Sequence, residues 1–142
     1  GELYELLCRQ SLVGALSCSD AFEEPTFLDA AAQGFNNPTV VMDVFAARAS
    51  VLLGQIRPDQ VQSYLSGLLI GNELREGLSS EGTTIPDITI VANDALTGKY
   101  LSACVHLGLS AKGVNQDVSV TGIQNLLQRA ARQPPMANSQ AD

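Results

Sequence analysis

The sequence predicts an α/β fold, rich in helix and carrying an incomplete sheet. Two observations carry that prediction. Apolar residues recur at three- and four-residue spacing through most of the chain, the period of an amphipathic helix. Ile88-Thr89-Ile90-Val91 is instead a short β-branched run bounded by turn residues, as in a buried strand. A lone strand leaves main-chain donors and acceptors without partners. Its missing neighbours are therefore expected upstream of Gly1 or in a partner chain.

Leu3, Leu6 and Leu7, continuing through Leu12, Val13 and Leu16, give the first helical pattern. No Ser, Thr, Asp or Asn precedes Glu2 to cap it, so Gly1 reads as a cut point in a longer chain. A short second helix is expected after Pro25, with Phe27, Leu28, Ala31 and Ala32 as its apolar residues and Gly34 at its close. Asn37-Pro38 then reads as the cap and first helical position of a third. Its apolar stripe is Val41, Val44, Phe45 and Leu52, with Arg48 inside the stripe. An arginine so placed extends to water or pairs with a carboxylate; the other reading is a role near an acidic substrate or between lobes. Pro58 opens the next helix, which runs to about Leu78 with Val61, Tyr64, Leu65, Leu68 and Leu69 at helical spacing.

A Ser-, Gly-, Thr- and Pro-rich turn over Ser79–Pro86 leads into the strand. Asn93-Asp94 then caps a helix from Ala95 to about Leu107, ended by Gly108. Ala111–Val114 reads as a second short strand and Ser119–Arg132 as a last helix, closed by Gln133-Pro134-Pro135. The lobe is expected to occupy residues 1–133, with 134–142 as a disordered tail.

Composition narrows the function. The 142 residues are 45 % apolar and 16 % charged, which suits one globular domain. No apolar run approaches the roughly 18 to 20 residues of a membrane span, and the acidic start Gly1-Glu2-Leu3-Tyr4-Glu5 is unlike a secretory leader. Net charge is −7, from 15 acidic and 8 basic residues with no Lys/Arg cluster, which argues against nucleic acid as a partner. Cys8, Cys18 and Cys104 cannot all pair within the chain and match no metal spacing. Free thiols point to a reducing cytoplasm. His106, the single histidine, has no Ser, Cys or acid at a diagnostic spacing and reads as structural or solvent-facing. No Gly-x-x-x-x-Gly-Lys-Ser/Thr loop is present, so phosphate-holding parts, if any, lie elsewhere.

Two constellations remain. Ala92-Asn93-Asp94 joins the strand to a helix N-terminus, the place where open α/β sheets collect ligands. It could receive an anion, a purine or a ribose, and Asn93 or Asp94 could equally be a plain helix cap. Ser63, Gly67 and Gly71 share one helix face at four-residue spacing. Each helical glycine costs about 1 kcal/mol relative to alanine, so the smooth strip needs a reason. It is either a close-packed neighbour or one wall of a nucleotide pocket.

Tyr64-Leu65-Ser66-Gly67-Leu68-Leu69-Ile70-Gly71-Asn72-Glu73-Leu74 resembles a stretch of the 2-dehydro-3-deoxygalactonokinases, sugar-acid kinases of the actin-like superfamily. Gly1–Leu7 with Arg9–Gly14 resembles the family segment after its second phosphate-binding turn, and Phe45-Ala46-Ala47-Arg48 its Phe-x-x-Arg helix. Ile88–Tyr100 is similar to the superfamily's adenosine motif, and the likeness as a whole runs from Gly1 to about Arg132. The resemblance implies a helix-rich C-terminal lobe of an actin-like (RNase H-like) ATPase fold, with its sheet incomplete. It further implies ATP-dependent phosphorylation of 2-dehydro-3-deoxy-galactonate, with ATP near Gly67, Gly71, Ala92, Asn93 and Asp94. Mg2+, the catalytic base and the phosphate-binding turns would belong to parts outside this chain. The expected partner is the missing N-terminal lobe, or another copy by self-association. The chain alone should then be inactive. Two departures stand out. Ala92-Asn93 replaces the usual Gly-Gly or Gly-Ser turn, where a methyl is expected to crowd the nucleotide, and Gln10 stands where the family often has histidine. A non-catalytic actin-like interaction module and a related kinase with another substrate are the alternative readings.

Overall fold

A computed structural model of the chain describes residues 1–79 and 88–115. Among these residues five α-helices and two strands follow in the order α1 (Glu2–Gln10), α2 (Glu24–Asn36), α3 (Val40–Leu52), α4 (Val61–Ser79), β1 (Ile88–Ala92), α5 (Asp94–His106) and β2 (Ala111–Asn115). Single 3-10 turns at Gly14–Leu16 and Pro58–Gln60 precede α2 and α4. None of the described helices is long and apolar enough to cross a membrane. The helix expected over Ser119–Arg132, the tail from 134 and most of the turn before β1 lie outside the described residues.

Local hydrogen bonds set the boundaries and correct several expectations. The first helical pattern does not run through to Leu16. Ser11 ends α1, and its hydroxyl accepts from the Val13 and Gly14 N–H groups, both at 3.2 Å, which turns the chain. Helix α2 begins at Glu24, two residues before the start expected after Pro25, because the Glu23 carboxylate caps the Thr26 N–H at 3.0 Å. It continues past Gly34 to Asn36. Helix α3 starts at Val40 rather than Pro38. Asn37 is occupied outside the helix: its Oδ1 accepts from Thr39 and its Nδ2 donates to Asp43 at 2.8 Å.

Helix α4 is the central element, with Val61, Leu65, Leu68, Ile70 and Leu74 all buried. One cluster gathers Val61 and Leu65 with Ala47, Ile56 and Val13. The other joins Ile70 and Leu74 to Phe27 and Ala31 of α2, to Ile90 and Ala92 of β1, and to Ala103 and Cys104 of α5. The stripe read on α3 is not the buried one. Val41, Phe45 and Leu52 are exposed, and Ala47 is the residue of α3 that is fully enclosed.

The second strand forms as expected and pairs with the first. β1 and β2 are parallel, from Ile88 opposite Ala111 to Ala92 opposite Asn115, with α5 as the crossover. The Ile88 N–H donates to the Ser110 carbonyl at 3.3 Å. Main-chain groups alternate sides along a strand, so those of Ile88, Ile90 and Ala92 face β2 while those of Thr89 and Val91 face the opposite edge. Among the described residues that edge has no strand beside it.

Candidate functional site

The turn between β1 and α5 is held from both sides. Asn93 is the N-cap of α5, its Oδ1 accepting the Leu96 N–H at 2.9 Å. Its carbonyl accepts the Thr97 N–H at 2.8 Å, and the Thr97 hydroxyl donates back to the Ala92 carbonyl at 3.3 Å. Asp94 follows in the first turn, exposed, where a carboxylate complements the positive end of the helix. Strand end, cap and helix N-terminus are thus brought together as the sequence predicted.

Beside them opens a cavity of about 660 Å3. The length of β1 forms one wall, Glu73 and Leu74 of α4 a second, and Leu96 and Tyr100 of α5 a third. The Tyr100 hydroxyl donates to the Glu73 carboxylate across the α4–α5 junction. Burial pushes the Tyr100 phenol above its ordinary value, and the bond to Glu73 and the nearby negative charge add to the rise. No Lys or Arg side chain among the described residues lines the cavity. Among the described residues no three His, Cys, Asp or Glu side chains cluster to hold a metal ion. Gly1, Gly77 and Leu78 complete the lining; of the turn, Ala92 belongs to it, and Asn93 and Asp94 do not.

The backbone at Ala92 and Asn93 adopts no angle reserved for glycine. Ala92 is 7 % exposed and packs into the cluster with Ile90, Ala103 and Cys104. Asn93 has φ −68°, and no non-glycine residue among those described has a positive φ. This turn therefore has no need of glycine.

Gly67 and Gly71 lie elsewhere, in the contact between α4 and α2. A Cβ at Gly67 would stand 2.2 Å from the Phe27 carbonyl oxygen, and one at Gly71 would stand 2.0 Å from that of Ala31. Ser63, on the same strip, accepts the Glu23 N–H at 2.8 Å. Of the two readings of this strip, the geometry supports close helix packing; neither glycine lines the cavity. Arg48 is exposed on α3 beside a separate apolar groove, and His106 is exposed at the end of α5. All three cysteines are free, with Cys104 buried, Cys8 half-buried and Cys18 exposed. Glu73 and Tyr100 were not legible as site residues. They are 27 positions apart and share no local motif, so only the packing of α4 on α5 joins them.

The family model for 2-keto-3-deoxy-galactonokinase matches residues 1–126 of the chain. The chain belongs to the 2-keto-3-deoxy-galactonokinase family. It is 33 % identical over 135 residues to the 2-dehydro-3-deoxygalactonokinase of Escherichia coli (strain K12), covering 92 % of this chain and 45 % of that protein. A crystal structure from Sinorhizobium meliloti, described as a 2-dehydro-3-deoxygalactonokinase protein, superposes with a TM-score of 0.77 at 26 % identity. That match covers 94 % of this chain and 46 % of the other. The chain therefore spans just under half the length of these relatives. The resemblance read from the Ser66-Gly67-Leu68-Leu69-Ile70-Gly71 segment is borne out: the chain is part of a carbohydrate-kinase family protein.

Proposed function

We propose that this chain is the nucleotide-side, C-terminal half of an ATP-dependent kinase that phosphorylates 2-dehydro-3-deoxy-galactonate in the cytoplasm, and that it is inactive alone. In this reading it is part of one lobe of an actin-like, RNase H-like fold, and the other lobe is its partner. The observation that carries the proposal is the β1–turn–α5–β2 unit in a chain of this family, with a cavity at the strand whose carboxyl end meets a helix N-terminus. Ligands of open α/β sheets collect at such strand ends.

Adenine and ribose would lie against Ala92, Asn93 and Asp94. Gly67 and Gly71 would act at one remove, by letting α4 lie close on α2 and so setting the position of the Glu73 wall. Ala92 lines the cavity, and Asn93 and Asp94 stand just beyond it at the start of α5. The phosphates meet no Lys or Arg among the described residues of the cavity. Mg2+ would meet only the Glu73 carboxylate, which already accepts from Tyr100, so both would be held mainly by parts outside this chain. Phosphoryl transfer depends on positioning and on neutralising the phosphate charge, which is why the half chain should not turn over.

The test is ATP-dependent phosphorylation of 2-dehydro-3-deoxy-galactonate and related sugar acids, by this chain and by one extended to the relatives' length. Turnover only by the extended chain supports the proposal. A folded extended chain that phosphorylates none of these acids would overturn it in favour of a non-catalytic module. Turnover of a different acid would move the substrate and leave the kinase.

A further inference from the structure

Helix α3 is apolar on two faces. Val44, Ala47 and Val51 turn inward, packed in the cluster with Ile56, Val61 and Leu65. On the outer side Met42, Phe45, Ala49 and Leu52 recur at spacings of three, four and three, and all are exposed, Phe45 by 75 %. That spacing is the a/d seam of a helix pair, and a helix apolar all round is one that becomes covered. Leu3 and Leu12 extend the patch across a groove of about 450 Å3 between α1 and α3.

We infer that this face is the interface of a homodimer, in which α3 of one copy packs antiparallel on α3 of the other. Three observations choose a second copy as the occupant. The seam is self-complementary: an antiparallel two-fold at Ala47 sets Met42 opposite Leu52 and the large Phe45 opposite the small Ala49 of the other copy. A two-fold interface requires this of a single surface. The exposed side chains of Leu3, Leu12, Val41, Met42, Phe45, Leu52 and Leu53 amount to on the order of 800 Å2, which is what each partner contributes to a standard interface. The face also carries no carboxylate. Asp43, the acid of α3, is turned to Gln33 and Asn37, and Arg48 sits at the groove as its one charge. In a chain of net charge −7, this is where two copies meet with least repulsion between acids. The inference does not depend on the kinase reading.

Sedimentation equilibrium over a concentration series tests it, on this chain and on one extended to the relatives' length. Both should dimerise. Phe45→Ala and Ala49→Phe should each weaken the dimer at least about tenfold, the size of one lost interface anchor. The double swap, Phe45→Ala with Ala49→Phe, should recover most of the affinity, because it restores one large and one small residue at each crossing. Both positions are exposed, and unchanged circular dichroism would confirm that the variants fold. A monomer at every concentration would overturn the inference. So would a dimer indifferent to these swaps but broken by Thr89→Lys on the β1 edge, or a swap without recovery. An extended chain that is monomeric would also overturn it, since its other half would then cover α3.

Discussion

Gly67 and Gly71 allow the backbones of α4 and α2 to touch, and no other residue has room there. The atoms that an added methyl would meet are the Phe27 and Ala31 carbonyl oxygens, at 2.2 and 2.0 Å. These belong to a helix backbone that cannot give locally. Gly67→Ala or Gly71→Ala gains about 1 kcal/mol of helix propensity but forces the helices apart, an overpacking cost of about 3 kcal/mol. Each should lower stability by a net amount of about 2 kcal/mol in urea unfolding. Gly98 is the internal control. It lies within α5 with nothing within 4 Å of its added Cβ, so Gly98→Ala should stabilise by about 1 kcal/mol. Equal effects at all three positions would show that the strip on α4 is not a packing device.

Among the elements, β1 carries the clearest unmet demand. Its Thr89 and Val91 main-chain groups face an edge with no strand beside it among the described residues. Amide hydrogen exchange reads this directly. In this chain the Ile90 amide, bonded toward β2, should be protected and those of Thr89 and Val91 should exchange freely. In a chain of the relatives' length, Thr89 and Val91 should gain protection of about 100-fold or more as a neighbouring strand pairs with them. Unchanged exchange would mean that β1 is a true edge strand. Much at this scale was legible. Asn93-Asp94 reads as a cap because it directly precedes an apolar-periodic run, Asn93 being the residue that caps. The short β-branched run from Ile88 reads as a strand, which it is. The start of α3 was misread because Asn37-Pro38 has the form of a helix entry. Asn37 is held outside the helix by bonds from Thr39 and by one to Asp43, six residues further on. The face of α3 was misread for a different reason. Both of its faces are apolar, and periodicity cannot say which one the core takes.

For the whole molecule, the division of labour between the two halves makes a prediction about this half alone. Among the described residues, the cavity beside β1 has apolar and hydroxyl-bearing walls, the Glu73 carboxylate and no basic side chain. A nucleoside gains contacts there. A triphosphate gains nothing from it and meets a chain of net charge −7. Calorimetric titration of this chain should therefore find adenosine bound at least as tightly as ATP, with no dependence on Mg2+. In the extended chain the order should reverse. Phosphate-binding parts would then add charge-assisted hydrogen bonds of about 1.5 to 3 kcal/mol each, enough to favour ATP by about tenfold or more for every bond gained. If ATP instead outcompetes adenosine on this chain and requires Mg2+ to do so, the phosphate site lies within these 142 residues, and the half-kinase assignment fails. If neither ligand binds the chain while both bind the extended protein, the nucleoside site is completed only when β1 gains its neighbour. The open edge of the sheet, rather than the turn at Ala92, would then decide whether this half can recognise a nucleotide.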